Sequence, residues 1–308
     1  MAAAALLAVA GCGSDDSSSA TTAAAATTVS SAPASTPSSA SLSVVASTNV
    51  YGDIVAQIAG DHAEVTSIIS NPDADPHSYE ANAQNQLALS KADIVVENGG
   101  GYDDFVDTMM QASGNSDAKV LNVVDISGLT APDDGELNEH VWYHFPTMTK
   151  LTDELVTALS TADPANASTF TANGTAFKAQ LDQLMATEAE LNKTHAGAGA
   201  AITEPVPLYM LEAIGLVNKT PEEFSEAIEE GSDVPAAVLQ ETLDLFKNGD
   251  VKLLAYNEQT SGPETEQVLS AAKSNNIPVV PVTETLPTGQ TYISWMTANL
   301  AAISTALG

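Results

Sequence analysis

Cysteine, basic side chains and long apolar runs are all scarce in this chain of 308 residues. Its one cysteine, Cys12, excludes an intrachain disulfide, so the fold has no covalent staple. Nine Lys+Arg stand against 40 Asp+Glu, a formal net charge of −31. Such a field repels phosphate backbones and anionic headgroups, which argues against nucleic acid and against electrostatic membrane binding, and it draws in cations. Most of the acids need no account beyond keeping a secreted protein soluble. No stretch reaches the roughly eighteen consecutive apolar residues of a membrane span. Catalytic signatures are missing too: there is no His-Glu-x-x-His motif, no Gly-x-Ser-x-Gly elbow and no phosphate loop. Nor does a repeat of fixed period occur.

What is present begins with Leu6-Leu7-Ala8-Val9-Ala10-Gly11-Cys12, an apolar run closing on small residues that resembles the lipobox of bacterial lipoproteins. That resemblance makes residues 1–12 a signal peptide cut before Cys12, whose thiol then carries lipid. With no basic residue ahead of the run, the signal is expected to start upstream of Met1. The alternative is an apolar N-terminus with a chance cysteine. Residues 13–41 are largely Ser, Thr, Ala and Pro. They bury too little to offset the entropy of ordering and read as a disordered tether.

The remainder is long enough for a sizeable core and two lobes. Leu42-Ser43-Val44-Val45-Ala46 reads as a strand, and residues 51–59 as a helix with Ile54, Val55 and Ile58 on one face. Val65-Thr66-Ser67-Ile68-Ile69 is a second strand, stopped by the turn chemistry of Asn71-Pro72-Asp73-Ala74-Asp75-Pro76. Then come a helix over 83–90, a strand over 93–97 ended by Asn98-Gly99-Gly100-Gly101, a helix over 103–112 and a strand over 120–124. An acidic loop, a histidine loop and a helix over 148–160 close the lobe. Between 165 and 195, Phe170, Phe177, Leu181, Leu184 and Leu191 fall at helical spacing, which predicts one long helix.

The second half repeats the alternation. A weak strand ends near Ile202, and a helix runs through Tyr209, Leu211 and Ile214. Helices over 222–229, with Thr220 as N-cap and Pro221 at N1, and over 236–247 follow. A strand over 251–256, a helix over 263–274, a strand over 277–282 and a helix over 292–307 complete the chain. The alternation predicts an α/β fold of two lobes, each with a mostly parallel sheet flanked by helices. The N-terminal lobe spans 42–164, the long helix over 165–195 joins the lobes, and the C-terminal lobe spans 196–308.

Four side chains that ligate metals fall just past the carboxyl ends of predicted strands: His77, His140, Glu204 and Glu284. Ligands of open α/β sheets bind there, and if the lobes face one another these four share a crevice. Two neutral imidazoles and two carboxylates match the charge of a divalent cation. The set suits Zn²⁺ or, with chelating carboxylates, Mn²⁺ or Fe²⁺, iron ranking behind the other two.

Asp75-Pro76-His77-Ser78-Tyr79-Glu80 resembles the first-ligand motif of the metal-binding lipoproteins of bacterial zinc and manganese ABC importers, the cluster A-I or cluster 9 solute-binding proteins. Asn138-Glu139-His140-Val141-Trp142 resembles their second. Thr203-Glu204-Pro205, with Tyr209 and Gly215-Leu216 following, is similar to the third, where members carry His or Glu. Val282-Thr283-Glu284 takes the place of the fourth, usually Asp or Glu. The resemblance covers residues 42–308. It implies a monomeric, extracytoplasmic protein of two α/β lobes on a rigid linking helix, with limited closure, held to the outer face of the cell membrane by its N-terminal lipid alone. It further implies one zinc or manganese ion bound between the lobes and handed to an importer's permease and ATPase subunit.

The chain departs from the family pattern at His144, where an Asp or another small polar residue is expected. His144 reads as a partner that orients His140, as an alternative ligand or as a solvated loop residue. The loop over 130–139 is acidic but has no histidine, so a metal-scavenging loop is not expected. His62, in a turn, and His195, at the end of the long helix, read as structural or solvated. Trp142 and Tyr143 either line the cleft or pack in the core, and Trp295 reads as core. Glu258 and Glu264 are reserves for Glu284. Two other functions use the same residues: a secreted metalloenzyme, which needs an open position for water on the ion, and a surface adhesin with an incidental site.

Overall fold

The computed structural model describes residues 41–72, 79, 82–132 and 137–308. The signal segment with Cys12, the tether up to residue 40 and, but for Tyr79, the first-ligand motif with His77 lie outside the described residues.

The chain opens with β1 (Leu42–Thr48), α1 (Asn49–Ala59) and β2 (Ala63–Ile69), then α2 (Ala83–Leu89), β3 (Ile94–Glu97), α3 (Phe105–Ser113), β4 (Lys119–Asn122), α4 (Val123–Ser127) and α5 (Phe145–Ala162). These strands form one sheet in the order β2-β1-β3-β4, parallel throughout. The long α6 (Ala167–His195) follows. Next come β5 (Gly199–Ile202), α7 (Leu208–Ala213), β6 (Val217–Asn218), α8 (Glu222–Glu229), α9 (Ala236–Asn248), β7 (Leu254–Asn257), α10 (Pro263–Ser274), β8 (Val279–Val282) and α11 (Tyr292–Leu307). Their sheet, β6-β5-β7-β8, is again all parallel. Parallel strands need helical crossovers that cover both faces, which is why β1, β3, β5 and β7 are buried along almost their whole length. The two-lobed α/β architecture on one long helix is the predicted one.

Several local predictions shift. The strand expected over 120–124 stops at Asn122, whose side chain caps α4 by accepting from the Asp125 N–H at 3.0 Å. The His140 loop therefore follows a short helix instead of a strand end. Thr220 does not cap α8, since Pro221 holds the N-cap position. The Thr220 hydroxyl instead accepts from the Ile202 N–H at 2.9 Å, tying the end of β5 to the turn after β6. The two-residue strand β6 had no periodic signal to betray it.

Buried positions on α6 recur every three or four residues: Phe170, Gly174, Phe177, Leu181, Leu184 and Glu188. Gly174 is needed there, because a Cβ would stand 2.4 Å from Val156 Cγ2 on α5. One large apolar cluster takes residues from both halves, among them Ile54, Phe170, Ile202 and Met296. Hydrogen bonds also cross between the lobes. Asn49 exchanges two with the Leu286 backbone at 2.9 Å, the Tyr292 hydroxyl donates to the Trp142 carbonyl at 2.6 Å, and Thr285 Oγ1 donates to the Pro72 carbonyl at 2.7 Å. Among the described residues, no helix is long and apolar enough to cross a membrane.

Candidate metal centre

The second histidine loop is held from three sides. Asn98, at the end of β3, donates through Nδ2 to the Glu139 carbonyl at 3.0 Å. Its backbone N–H and that of Gly99 are held by the Asp103 carboxylate at 2.6 and 2.8 Å. Gly99 sits at φ +76 with Asn122 so close that a Cβ would lie 2.3 Å from its side chain, so this turn requires glycine. From the other lobe, the Tyr209 hydroxyl donates to the Asn138 carbonyl at 2.6 Å, and Asn138 Nδ2 donates to the Pro205 carbonyl at 3.1 Å.

Asn138 also sets the histidine ring. Its Oδ1 accepts from the His140 backbone N–H at 3.1 Å and lies 2.8 Å from Nδ1. An acceptor at Nδ1 places the proton there and leaves Nε2 as the donor atom to a cation. His140 is fully buried, with its ring centre 5.0 Å from that of Trp142 and 6.0 Å from that of Tyr102. Trp142 thus both packs in the core and walls the site. Tyr143, also buried, donates to the Thr283 carbonyl at 2.9 Å, next to Glu284.

His140 Nε2 stands 3.5 Å from Oε1 of Glu229. One ligand atom each from Glu139, His140 and Glu229 lies within 4.8 Å of the other two, which makes these three a candidate cation site among the described residues. Glu229 ends α8 and was not singled out from the sequence. Burial pushes its carboxyl up to about 9, and the negative charges of Glu139, Glu204, Glu284 and Glu226 push the same way.

Glu204 follows β5 and is buried. The preceding residue continues the pairing with β7: the Thr203 N–H donates to the Ala255 carbonyl at 3.1 Å, and Thr203 Oγ1 accepts from the Asn257 N–H at 2.9 Å. Glu284 follows β8 and is buried too, its Oε1 accepting from Asn257 Nδ2 at 2.9 Å and its N–H donating to Gln259 Oε1 at 2.5 Å. Gln259 in turn donates to the Pro72 carbonyl at 3.1 Å, just ahead of the first-ligand motif. Both glutamates are near enough to raise the Glu229 carboxyl, although neither joins the tight group with His140.

His144 does not orient His140, the part that Asn138 plays. Its Nδ1 lies 2.8 Å from Thr147 Oγ1 at the start of α5, and its ring packs 5.3 Å from that of Tyr209. Burial, then the charge of Lys150, holds its pKa down. His62 packs edge-on against Phe170, and His195 is the last residue of α6. Glu258 is exposed and neither it nor Glu264 belongs to the group around His140. Trp295 is core.

The sequence matches, over residues 44–306, the family described as zinc-uptake complex component A, periplasmic. The manganese-binding lipoprotein MntA of Bacillus subtilis (strain 168) is 30% identical over 146 residues, 46% of this chain and 47% of that protein. The match thus spans about half the length of that relative. The manganese ABC transporter substrate-binding lipoprotein scaA of Streptococcus gordonii is 26% identical over 299 residues, 90% of this chain and 93% of that protein. Among solved structures, FpvC of Pseudomonas aeruginosa in complex with Mn²⁺ superposes with a TM-score of 0.72 at 23% identity, covering 87% of this chain and 98% of that one. The periplasmic zinc-binding protein TroA of Treponema pallidum does so with a TM-score of 0.70 at 21% identity, covering 86% and 98%. At such identities the structural likeness speaks to the fold.

Proposed function

The chain belongs to the family of periplasmic zinc-uptake components, and from that premise we propose that it is an extracytoplasmic solute-binding protein that captures one divalent transition metal ion, zinc or manganese, between its lobes. The observation that carries the reading is the buried imidazole of His140, oriented by Asn138 and met by two carboxylates, Glu139 beside it in the loop and Glu229 from the other lobe. His77, from the matching first motif, supplies the second imidazole, and Glu204 and Glu284 supply carboxylates from the other lobe. The ion is cargo. It passes to the permease and ATPase subunit of an importer, and lipid on Cys12 keeps the protein at the outer face of the membrane as a monomer. The role is transport, with no catalytic step assigned. The hydrogen bonds pinned across the lobes fit a body that closes little around its cargo.

The test is calorimetric titration of MnCl2 and of ZnCl2 into chelator-stripped protein. His140→Ala is expected to weaken both by about a hundredfold or more, since removal of a primary ligand exceeds the effect of removing a ligand's supporting partner. Wild-type affinity in H140A would refute the assignment. Elemental analysis of protein purified from its own host, without added metal, then identifies the cargo.

A further inference from the structure

Folding alone gives no reason to put an acid where Glu229 is. It is the last residue of α8, which ends in a Schellman motif: the Ser232 N–H donates to the Ala227 carbonyl at 2.8 Å, the Gly231 N–H to the Ile228 carbonyl at 3.1 Å, and Gly231 sits at φ +63. A carboxylate in the last helical turn faces the negative end of the helix dipole, where a cationic side chain is the stabilising choice. Here the carboxylate is also half-buried, beside Glu139. The chain contains no arginine, its nine basic residues all being lysine, so a bidentate guanidinium partner is not available to it. Phe224 and Ile228 anchor α8 in a separate apolar cluster with Phe246 and Leu254, so packing and capping together fix where the helix end points.

It points at His140. The 3.5 Å between Nε2 and Oε1 is long for an N–H···O bond, whose usual length is about 2.9 Å. It suits two donors of one cation: atoms each about 2.1–2.2 Å from an ion, at angles near 90–110°, are roughly 3.0–3.6 Å apart. An oxygen of Glu139 falls within the same group.

We infer that Glu229 is a direct ligand of the cargo ion, supplied by an element that carries none of the ligands legible in the sequence, and that the oxygen it adds biases the site towards manganese over zinc. The inference rests on the cargo-binding reading above. Zinc is satisfied by four mixed N/O ligands in a tetrahedron, whereas a harder ion such as manganese suits carboxylate oxygens in an octahedral set. A carboxylate beyond the four-ligand set therefore favours manganese.

The test titrates MnCl2 and ZnCl2 separately into chelator-stripped full-length wild type, Glu229→Gln, Glu229→Asp and His140→Ala. The aspartate keeps the charge and withdraws the oxygens by one methylene, which separates a ligand from a merely nearby charge. Both Glu229 variants are expected to lose about tenfold or more in manganese affinity and less in zinc affinity. Three results overturn the inference: wild-type manganese affinity in both variants, wild-type affinity in Glu229→Asp alone, or equal losses for the two ions. Failure of the wild type to bind either ion overturns the cargo reading instead, and loss in H140A alongside intact Glu229 variants overturns only the inference. Metal-free Glu229→Gln is expected to melt no lower than wild type, because it sheds a half-buried acid at a helix C-terminus.

Discussion

Glu188→Gln should stabilise the protein by an amount that depends on pH. Glu188 continues the buried stripe of α6 after Leu181 and Leu184, is 5% exposed, and lines a half-open cavity of about 370 Å³ with Tyr143, His144, Met185 and Tyr209. Burial pushes its carboxyl from the ordinary 4.5 up to about 8. Between those values the folded chain holds a proton that the unfolded chain has released, so stability falls as pH rises through the window. The contribution is fully present below about 4.5 and lost above about 8. That gap, at about 1.36 kcal/mol per pH unit, sets a ceiling of roughly 5 kcal/mol. Water reaching the open cavity relieves part of it, and buried polar groups in proteins commonly cost about 1–3 kcal/mol, which is the expected gain for the variant at about pH 9. Urea unfolding of wild type and variant at about pH 5, 7 and 9 measures it. Other carboxyls raised by burial, notably Glu97 at about 7, bend both curves alike, so the difference between the two proteins isolates Glu188. Parallel curves would refute the argument, as would a variant less stable at every pH.

Asn138→Ala removes the Nδ1 partner of His140 and a hydrogen bond to the Pro205 carbonyl; metal affinity measured by calorimetry is expected to drop about 10- to 100-fold with His140 still present. Tyr143→Phe deletes the hydroxyl that donates to the Thr283 carbonyl and accepts from Asn299 Nδ2, and denaturant titration should read a loss of about 1–3 kcal/mol. In Gly199→Ala the new Cβ would lie 2.1 Å from the Asp250 carbonyl oxygen, a backbone atom in a chain segment that also donates from the Lys252 N–H to the Gly199 carbonyl at 2.8 Å. β5 must then shift, and thermal unfolding is expected to show at least about 1–3 kcal/mol of destabilisation.

The fold was legible because it is written locally. Apolar runs such as Ile94–Glu97 and the three-to-four spacing along α6 declare strand and helix through side chains that are neighbours in sequence. Boundaries were less legible where a polar side chain had two possible partners. Asn122 ends a strand by capping a helix, and Thr220 gives up a capping role to bond Ile202. In the site, the motif around His140 could be read, and with it the position of Glu204 and Glu284 just past their strands; that both are buried came from the fold. Sequence leaves His144 three readings because it cannot say which way the ring turns; its Nδ1 lies against Thr147 Oγ1, while Asn138, two residues before His140, takes the place at the His140 ring. One sign of Glu229 was present, a cluster of Glu226, Glu229 and Glu230 at a helix C-terminus where the dipole disfavours acids.

By itself the sequence determined the alternation of strands and helices, the parallel sheets that follow from it, and a histidine loop of recognisable metal-binding type, since all of these depend on residues a few positions apart. Only the tertiary structure decided which carboxylates reach that histidine. Glu229 and His140 sit on different lobes, and the 3.5 Å between them is set by how α8 packs through Phe224 and Ile228 against Phe246 and Leu254 and by how the lobes are pinned through Asn138, Tyr209 and Tyr292. Those contacts are encoded in no single stretch of the chain.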